Sequence, residues 1–553
     1  MPVVNLNLAR LADWFPGKLV KQLIDALPFI ALDIESITDH EIRIEYNPNR
    51  PDFSSDYGIA RALKGYLGIE IGIPQFKLTR TNKYRIIVDI SKNLSRPYIT
   101  ALVARNLRLD ELDIKQLFAV QDDLHDGIGR QRIKASIGFH DLDSIKFPLK
   151  YTSVSNDYSF TYVHESSPIT VEEFMNTYGV GYKYHQLQKN SGNYTVLLDK
   201  NNRVLSFPPV TNCESAKVEP GTNNLFVEVT SSDQKLAEDI IAILATTMND
   251  MGFMIHTAVV ETPGASRYLP NMKPSQIIVT RDQINRTLGT KLSTEEILMS
   301  LRKCRLDAKV IKKNGSTIIC SIPRYRVDVF DKIDIVEEVA IGYGIENLIP
   351  TIPFSNISGN RSTVSRYLDI IRITLVGLGF LEVNNFGLVD KKMQFDLMGT
   401  ECDIDRLLTV EGAQNAGLDN LRISLIPSLM HTLSHNIHET YPQNIFEIGK
   451  AFSDNEDLEQ WHLAVLLANT KSNFTEAKSV LQSILSSSFA KDLKTEPEKL
   501  PFFINGRCAK VIVDLERVGE LGEISSLARD NFKLRIPVSG FEINLSKLLH
   551  IKS

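Results

Sequence analysis

Carboxylates at helical spacing near the middle of the chain are the clearest group that could bind a metal ion. Asp334, Glu337 and Glu338 stand at positions i, i+3 and i+4, which places three carboxylates on one face of a predicted helix. Asp328 precedes them at the end of a predicted strand, and Asp331 can cap the helix start. Because like charges repel, this set needs a cation or a basic partner, and oxygen ligands suit a hard ion such as Mg2+. The alternative is an acidic helix face exposed to water.

The histidines and cysteines are less well arranged for metal binding. His431, His435 and His438 share one helix face at i, i+4 and i+7, a spacing that a transition metal could use. No carboxylate or cysteine accompanies them in the pattern, which favours a packed or interfacial helix. The five cysteines lie far apart without a CxxC pair, which indicates a reducing compartment and neither a zinc site nor a disulfide framework.

Composition describes an ordinary soluble protein that is too long for a single core. The chain has 553 residues, 43% hydrophobic and 23% charged, and such a length predicts about three to five domains. A net charge of -5 argues against a protein that is basic overall and coats nucleic acid. We find no signal peptide pattern and no apolar run long enough for a membrane span, so we expect a cytoplasmic protein. Motifs for P-loop, dinucleotide, zinc-protease and serine-hydrolase sites are absent.

Short apolar runs and amphipathic segments predict several α+β domains. Alternating runs in the second domain indicate a mixed sheet, and the last domain is predicted to be an antiparallel sheet flanked by helices. A Pro-Gly pair marks 261–270 as a linker, and Ser293 to Glu296 resembles a capping box. The domains are placed at 1–85, 86–262, 274–351 and 352–553. Helices are predicted at 18–26, 56–67, 234–250, 282–288, 293–304, 365–378 and 426–437.

Five sequence motifs, in order along nearly the whole chain, together point to one family. They are NRPDFSSDYGIARAL at 49–63; RIKASIGFHDLD at 132–143; VLSFPPVTN at 204–212 with NLFVEVT at 224–230; RYRVDVFDKIDIVEEVA at 324–340 with IGYG after it; and LRISLIPSL at 421–429 with FEIG at 446–449. Each motif alone is weak, but five in the right order are specific. On these motifs the chain resembles the β subunit of phenylalanyl-tRNA synthetase in its shorter archaeal and eukaryotic form.

The resemblance implies an α+β multidomain protein. Its expected parts are a mixed α/β N-terminal module (B1-like), an α+β editing domain of B3/B4 type, a small α/β domain of B5 type, and an inactive class II synthetase-like domain with an antiparallel sheet. The implied partner is an α subunit, in an (αβ)2 heterotetramer that uses ATP, Mg2+, phenylalanine and tRNA-Phe. The residues that match the family's Mg2+ position, shared with the α subunit, are Asp328, Asp334, Glu337 and Glu338. Asp331 does not match that pattern.

The second domain resembles the family's editing module, which hydrolyses tRNA-Phe mischarged with tyrosine. A pocket built for phenylalanine rejects an added hydroxyl only modestly, so a second, hydrolytic site is useful. The residues that the resemblance assigns to the acceptor end and the hydrolytic water are Gln121, Asp122, Arg132 and Asn212. Those assigned to the pocket walls and specificity groups are Leu197, Ser206, Glu228 and Thr230. Glu228 is the candidate acceptor for the tyrosine hydroxyl, because an unpaired buried acceptor would penalise phenylalanine.

The editing chemistry is expected to use water directly. No Ser–His or Cys–His pair stands out in the second domain, so we expect a water positioned by hydrogen bonds rather than a covalent intermediate. His125 and His140 are the nearby histidines that could act as bases, and such residues are more often structural.

The last domain resembles the class II synthetase fold but lacks residues expected of an active site. An active core uses one arginine for the α-phosphate of ATP and a second for the γ-phosphate. The FEIG motif has no arginine before Glu447, and Ile543 stands where the second arginine is expected. We therefore expect this domain to pair with a catalytic α subunit. The alternatives are a purely structural α-binding scaffold with a decayed editing pocket, and a free-standing RNA-binding protein or deacylase.

Overall fold

The computed structural model confirms a multidomain α+β protein. It describes residues 2–75, 77–89, 94–162, 167–179, 181, 183–184, 193–311, 316–354, 357–402, 407–413, 417–453 and 458–550. The chain divides into two compact units, Met1–Ile352 and Pro353–Ser553. Within these described ranges, none of the helices combines the length and apolar composition of a membrane span.

The N-terminal part of the first unit is a small sheet covered by helices. Its elements are β1 (Val3–Asn7), α1 (Leu8–Trp14), α2 (Val20–Ala26), β2 (Leu32–Ile37), β3 (Glu41–Tyr46) and α3 (Asp56–Tyr66). The strands are antiparallel in the order β1-β3-β2. The Ser55 side chain accepts a hydrogen bond from the Gly58 amide at the start of α3. A Cβ at Gly58 would overlap the Asp52 carbonyl oxygen. Glycine at this position therefore lets the NRPD loop pack against the helix.

A long mixed sheet forms the second domain. Its elements are β4 (Arg85–Val88), β5 (Tyr98–Arg105), α4 (Glu111–Asp126), β6 (Ala135–Asp141), β7 (Leu149–Ser155), β8 (Ser159–Phe160), β9 (Ile169–Thr170), α5 (Val171–Thr177), β10 (Asn193–Leu198), β11 (Val204–Phe207), β12 (Thr211–Asn212), β13 (Leu225–Ser231), α6 (Gln234–Met251), β14 (Met254–Thr262) and β15 (Ala265–Leu269). The strand order is β12-β11-β10-β7-β4-β14-β5-β13-β6, with β15 beside β14. Strand β4 runs parallel to β7 and β14.

Helices α4 and α6 cover one face of this sheet. Leu117 and Val120 of α4 and Ile240 and Leu244 of α6 share a buried apolar core with Val227 of β13. The prediction of a linker at 261–270 is wrong, because this segment forms the β14–β15 hairpin. A Pro-Gly pair suits a linker and a tight turn equally well, and pairing with the rest of the sheet decides between them.

The third part of the first unit is a three-stranded sheet packed on helices. Its elements are β16 (Ser275–Thr280), α7 (Arg281–Leu288), α8 (Thr294–Lys303), β17 (Asp307–Val310), β18 (Thr317–Ile322) and α9 (Lys332–Tyr343). The strands are antiparallel in the order β16-β18-β17. The predicted capping box is confirmed, since Ser293 and Glu296 exchange hydrogen bonds at the start of α8. Gly342 of α9 lies against Ser300 of α8, where a Cβ would overlap the Ser300 carbonyl oxygen.

The second unit is built on a seven-stranded sheet. Its elements are α10 (Thr363–Gly377), β19 (Leu381–Glu382), β20 (Leu388–Val389), β21 (Asn420–Leu421), α11 (Ile426–His435), β22 (Gln443–Phe452), β23 (Glu459–Ala468), α12 (Phe474–Phe489), β24 (Lys494–Pro497), β25 (Phe503–Val513), β26 (Glu516–Ile524), α13 (Ser526–Asn531), β27 (Val538–Asn544) and α14 (Leu545–Leu548). The order is β19-β22-β23-β27-β26-β25-β24, antiparallel except for the edge pair β19–β22. Helices α10 and α12 pack on one face and α11 on the other.

Candidate functional site

A cavity of about 310 Å³ lies where the two end strands of the long sheet meet. Asn212 of β12 donates through Nδ2 to the Phe139 carbonyl of β6 at 3.2 Å, which joins the ends of the strand path. The sequence-predicted residues that line the cavity are Gln121, Arg132, Ser206, Asn212 and Glu228. The fold thus brings together five residues that lie between positions 121 and 228 on separate helices, strands and loops.

Polar side chains on the cavity wall are held by backbone carbonyls. Gln121 of α4 donates through Nε2 to the Ile137 carbonyl at 2.7 Å. Arg132 donates through Nη1 to the carbonyls of Pro209 and Val210, each at 3.3 Å. Because these hydrogen bonds hold their donors, the Gln121 amide and the Arg132 guanidinium have defined positions on the cavity wall.

A buried carboxylate forms the inner end of the cavity. Glu228 of β13 is 2% exposed, and its Oε1 accepts a hydrogen bond from Ser206 Oγ at 3.0 Å. Its Oε2 is buried and has no hydrogen-bond partner among the described residues. Burial lowers the pKa of the nearby Arg96 to about 10, and Tyr151 and Glu228 oppose that shift. An acceptor left unpaired at the end of a cavity suits a ligand that donates a hydrogen bond.

Three other predicted residues lie outside the cavity lining. Asp122 is exposed on α4, one position beyond Gln121. Leu197 is fully buried in the sheet core. Thr230 is also fully buried, and its hydroxyl bonds to Ser136 Oγ at 3.0 Å. Leu197 and Thr230 therefore support the site from behind.

His125 braces the cavity wall. Its Nε2 accepts a hydrogen bond from the Ile137 amide at 2.8 Å, and this bond connects α4 to β6. Burial, followed by the charges of Arg132 and Arg96, lowers the pKa of His125 to about 3. The imidazole is therefore neutral at physiological pH, and its Nε2 is engaged by the Ile137 amide. Among the described lining residues, no serine hydroxyl bonds to a histidine, so the site offers hydrogen bonds to a water rather than an activated nucleophile.

Sequence reasoning missed Gly138 as a residue of this site. Gly138 is opposite Glu228 in the β6–β13 pairing, and a Cβ there would lie 2.6 Å from Glu228 Oε1. The signal was available, because a glycine inside a predicted strand often marks a close approach.

Arg326 lies among the acidic residues around α9. Its guanidinium donates to both oxygens of Asp328, at 2.8 and 2.7 Å, and to both oxygens of Glu338, one of them at 3.1 Å. Arg50 of the N-terminal part lies 3.8 Å from Asp328. Burial alone would raise the pKa of Asp328, but the charges of Arg326 and then Arg50 hold it below its usual value. Arginine therefore supplies the positive charge that this pair of carboxylates needs.

Asp334 and Glu337 are not paired with Arg326. Asp334 Oδ2 accepts hydrogen bonds from the amides of Phe330 and Asp331, at 2.7 and 2.8 Å, and so takes part in capping the N-terminus of α9. Glu337 is exposed. Over the described parts of the chain, no three histidine, cysteine or acidic side chains are grouped as a metal site. Asp328 and Glu338, occupied by Arg326, do not fit a metal ion, whereas Asp334 and Glu337 would need further ligands.

Glu447, on the polar face of the second unit's sheet, has an arginine partner from elsewhere in the chain. Arg422 Nη1 donates to Glu447 Oε1 at 2.5 Å, and Asn385 Nδ2 donates to Oε2 at 2.8 Å. Arg422 Nε also donates to the Lys450 carbonyl at 2.9 Å. The arginine missing before Glu447 in the sequence is thus replaced in space by Arg422, whose Nε and Nη1 are already engaged.

Glu542 on the same sheet is likewise satisfied internally. It accepts hydrogen bonds from Ser424 Oγ at 2.6 Å and from the Leu425 amide at 3.0 Å, beside the start of α11. His462 Nδ1 lies 2.6 Å from Glu542 Oε1. Burial would raise the pKa of Glu542, but His462 and Ser424 keep it below its usual value. Glu520 on the neighbouring strand has its pKa raised to about 7 by burial and by Glu542.

The helical histidines are arranged for contact with each other. His431 and His435 of α11 have ring centroids 4.2 Å apart, and His435 Nδ1 lies 3.0 Å from the His431 carbonyl. Among the described residues, these histidines are not part of any group of three side chains that could hold a metal ion.

Comparison with known proteins places both units in one group. Residues 277–345 match the family model of the tRNA synthetase B5 domain, and residues 345–545 match that of the phenylalanyl tRNA synthetase beta chain CLM domain. The phenylalanine–tRNA ligase beta subunit of Archaeoglobus fulgidus is 34% identical over 99% of this chain and 98% of its own length. The corresponding subunit of Methanocaldococcus jannaschii is 32% identical over 99% of this chain and 100% of its own length.

A solved structure supports the fold of the first unit. An N-terminal fragment of the phenylalanyl-tRNA synthetase beta-subunit from Pyrococcus horikoshii is 26% identical, with a TM-score of 0.59. The match covers 62% of this chain and 99% of that fragment.

Proposed function

This chain belongs to the phenylalanine–tRNA ligase β-subunit family, and from that premise we propose that it edits the product of a catalytic α subunit. The α subunit joins phenylalanine to tRNA-Phe with ATP, and the β chain hydrolyses tRNA-Phe that carries tyrosine. The observation that carries this proposal is the buried, unpaired Oε2 of Glu228 at the inner end of the cavity.

The cavity favours tyrosine over phenylalanine by hydrogen bonding. A phenol hydroxyl donates a hydrogen bond to the Glu228 carboxylate, whereas a phenyl ring leaves the buried oxygen without a donor. Leaving a buried polar group unpaired costs about 1–3 kcal/mol, or roughly five- to 150-fold in binding. The synthetic pocket discriminates poorly against an added hydroxyl, and this cavity discriminates in favour of it.

Hydrolysis uses groups on the cavity wall to place the acceptor end and a water. The amide nitrogens of Gln121 and Asn212 are bound to carbonyls, so each amide presents its oxygen as an acceptor for water. Arg132 brings positive charge to the same wall. Water attacks the ester carbonyl carbon, the bond from that carbon to the ribose oxygen breaks, and the ribose oxygen takes up the proton that the water loses. Positioning of the two reactants supplies the rate enhancement, since no activated side-chain nucleophile takes part.

The second unit serves as a partner surface rather than as a synthetic site. Glu447 and Glu542 on its sheet have internal hydrogen-bond partners, which supports the expectation that it does not bind the phosphates of ATP. Its helix α10 exposes Ile373 by 72% and Val376 by 56%, and Leu381 and Phe386 follow at 66% and 82%. Exposed apolar residues of this kind mark interaction surfaces. We assign them to the α subunit in an (αβ)2 assembly.

The expected Mg2+ contributes no step to this proposal. Of the four carboxylates that match the family's Mg2+ position, Asp334 and Glu337 could share an ion with the α subunit, because Asp328 and Glu338 are paired with Arg326. Such an ion would serve the subunit interface.

Deacylation by the purified αβ complex tests the editing role. Glu228→Ala and Asn212→Ala should each lower the release of tyrosine from Tyr-tRNA-Phe about tenfold or more and leave phenylalanine charging unchanged. The exposed Glu219→Ala, in the same domain, is the matched control and should behave like wild type.

Other outcomes separate the alternatives. A wild-type complex that charges tRNA-Phe but never releases tyrosine would identify a scaffold with a decayed pocket. A chain that stays monomeric when coexpressed with the α subunit would instead be a free-standing protein.

A further inference from the structure

Three consecutive residues beside the cavity have left-handed backbone conformations. Arg130, Gln131 and Arg132 have φ angles of 49°, 53° and 65°, and none of them is glycine. This conformation brings each Cβ close to the following carbonyl oxygen, so a run of three such residues is unfavourable. Backbone of this kind persists only where the surrounding structure holds it in place. Arg132, the last of the three, lines the cavity.

Hydrogen bonds at the end of α4 hold one side of this left-handed turn (residues 130–132). The Arg132 amide donates to the His125 carbonyl at 3.2 Å, and the Arg130 amide donates to the Gly127 carbonyl at 3.0 Å. The Ile133 amide donates to the Arg130 carbonyl, also at 3.0 Å. These bonds do not involve the carbonyls of Arg132 and Ile133, which point to a different partner.

That partner is Arg96, which comes just before β5 and is only 2% exposed. Its Nη2 donates to the Arg132 carbonyl and, at 3.2 Å, to the Ile133 carbonyl. Its Nη1 donates to the Thr230 carbonyl of β13 at 3.2 Å. One planar guanidinium with donors in fixed directions therefore connects the left-handed turn to the strand that carries Glu228.

The backbone of Arg96 is fixed as well. Tyr151 Oη donates to the Arg96 carbonyl at 2.8 Å, and the Tyr151 side chain is fully buried in the core of the sheet. The guanidinium is thus held at both of its ends, by the sheet core and by the carbonyls that it binds. Burying a charge is unfavourable, and an apolar side chain could fill the same volume without that penalty. An arginine at this position therefore indicates a need for its donors.

We propose that Arg96 is a positioning residue, which holds the left-handed turn and thereby fixes Arg132 on the cavity wall. The proposal rests on the editing function and deepens it, because Arg132 is assigned to the acceptor end. The Arg132 side chain donates to the carbonyls of Pro209 and Val210, each at 3.3 Å. Without Arg96 the turn relaxes, and the Arg132 guanidinium leaves those carbonyls. Hydrolysis then falls, since positioning of the reactants supplies the rate enhancement.

Trypsin tests whether Arg96 holds the turn. The protease cleaves after arginine, and the turn contains Arg130 and Arg132, which become substrates when this segment opens. Arg96→Met retains much of the side-chain volume and removes the donors, so cleavage at the turn in the αβ complex should be about tenfold faster or more than in wild type. Peptide mass spectrometry gives the cleavage rate. Equal rates in Arg96→Met and wild type would overturn the proposal.

An exposed arginine of the same domain provides the matched control. Arg85 contacts Glu261 at the surface, and the Arg85 side chain is 49% exposed. Arg85→Met should leave both the cleavage at the turn and the release of tyrosine near their wild-type values, because exposed ion pairs contribute little.

Release of tyrosine from Tyr-tRNA-Phe tests the connection to Arg132. Arg96→Met should lower this release about tenfold or more and leave phenylalanine charging unchanged. In an Arg132→Ala background the same substitution should change the release by about twofold or less, because the group that Arg96 positions is already gone. A purely structural role would lower the release by the same factor in both backgrounds, and that result would overturn the proposal.

Gln131→Gly provides a rescue. Glycine adopts the left-handed conformation without the Cβ penalty, so the turn needs less support from Arg96. The double variant Arg96→Met/Gln131→Gly should regain about threefold or more of the lost tyrosine release and should be cleaved more slowly than Arg96→Met. No recovery in either measurement would show that Arg96 does not oppose strain in the turn, which also overturns the proposal.

The outcomes separate this inference from the editing proposal. A wild-type complex that releases no tyrosine would refute editing, whereas trypsin cleavage would still decide whether Arg96 holds the turn. Unchanged cleavage in Arg96→Met, with normal tyrosine release by wild type, would overturn the inference and leave editing intact. Should Arg96→Met fail to fold, Arg96→Lys decides the question. Lysine retains a charged donor but not the planar fork, so smaller changes in the same directions are expected, and no change would overturn the inference.

Discussion

Replacing Arg326 by methionine should open the small α9 domain selectively. The methionine retains much of the side-chain volume but leaves Asp328 and Glu338 without their shared cation. The side chains of these two carboxylates are only 9% and 7% exposed. Breaking a buried ion pair by removing one partner costs about 3–5 kcal/mol, because the remaining charge is buried and uncompensated. The opening equilibrium of this domain should therefore rise roughly 100- to 4,000-fold.

The reactivity of Cys320 reports this opening directly. Cys320 is fully buried on β18, and burial raises its pKa to about 12, so the thiol reacts only when the domain opens. Alkylation followed by peptide mass spectrometry gives its labelling rate. Cys213 of the second domain, 2% exposed, is an internal reference and should react as slowly as in wild type.

A surface arginine provides the matched substitution. Arg85 contacts Glu261 through two hydrogen bonds of 2.8 Å, as Arg326 does with Asp328, but at an exposed position. Arg85→Met should leave the Cys320 rate near that of wild type, because exposed pairs contribute little. If Arg326→Met and Arg85→Met label Cys320 at the same rate, the buried arginine does not stabilise the domain and the reasoning is refuted. Addition of EDTA should not change the wild-type rate, and an increase would show that a metal contributes to this cluster.

Three further changes test the packing and electrostatics of the first unit. Gly342→Ala forces a Cβ into the Ser300 carbonyl and should lower the free energy of unfolding by about 1–3 kcal/mol. Urea denaturation measures this loss. An unchanged denaturation midpoint would show that α8 and α9 can move apart to accommodate the Cβ. Tyr46→Phe removes a 3.1 Å hydrogen bond to Asp123 and should lower the free energy of unfolding by about 1 kcal/mol. Burial raises the pKa of Asp123 to about 6, so this loss should be larger at pH 7, where the carboxylate is charged, than at pH 5. His125 has a folded-state pKa of about 3, below its unfolded value, so its stabilising contribution is present above pH 6.5 and is lost as the pH falls. Between pH 6.5 and 4 the wild type should lose up to about 1.4 kcal/mol per pH unit relative to His125→Gln, and a pH-independent difference would contradict this.

Local structure followed the sequence closely. The helix predicted at 234–250 is α6 at Gln234–Met251, and the capping box at Ser293 starts α8 as expected. Such features depend on residues three or four positions apart, whose spacing is set by the helix itself. The hairpin at 261–270 was not recognised because a Pro-Gly pair suits a linker as well as a turn, and because β14 is also held by β4 and β5, which come from elsewhere in the chain.

The acidic residues show where local reasoning ends. Glu337 and Glu338 are adjacent, yet the first is exposed and the second is 5% exposed and bound to Arg326. Helical periodicity predicted a shared face but could not say which carboxylates would turn inward. Arg326 is part of the sequence motif, but its hydrogen bonds to Glu338 of α9 depend on how that helix packs.

The sequence by itself determined the family and named five of the residues that line the cavity, because motifs and periodic patterns are properties of short segments. Only the tertiary structure decided which of those residues meet. Ser206 pairs with Glu228, Arg422 with Glu447, and Asn212 with the Phe139 carbonyl. Each of these contacts depends on strand register and on burial, which are set by the whole sheet rather than by any one of its strands.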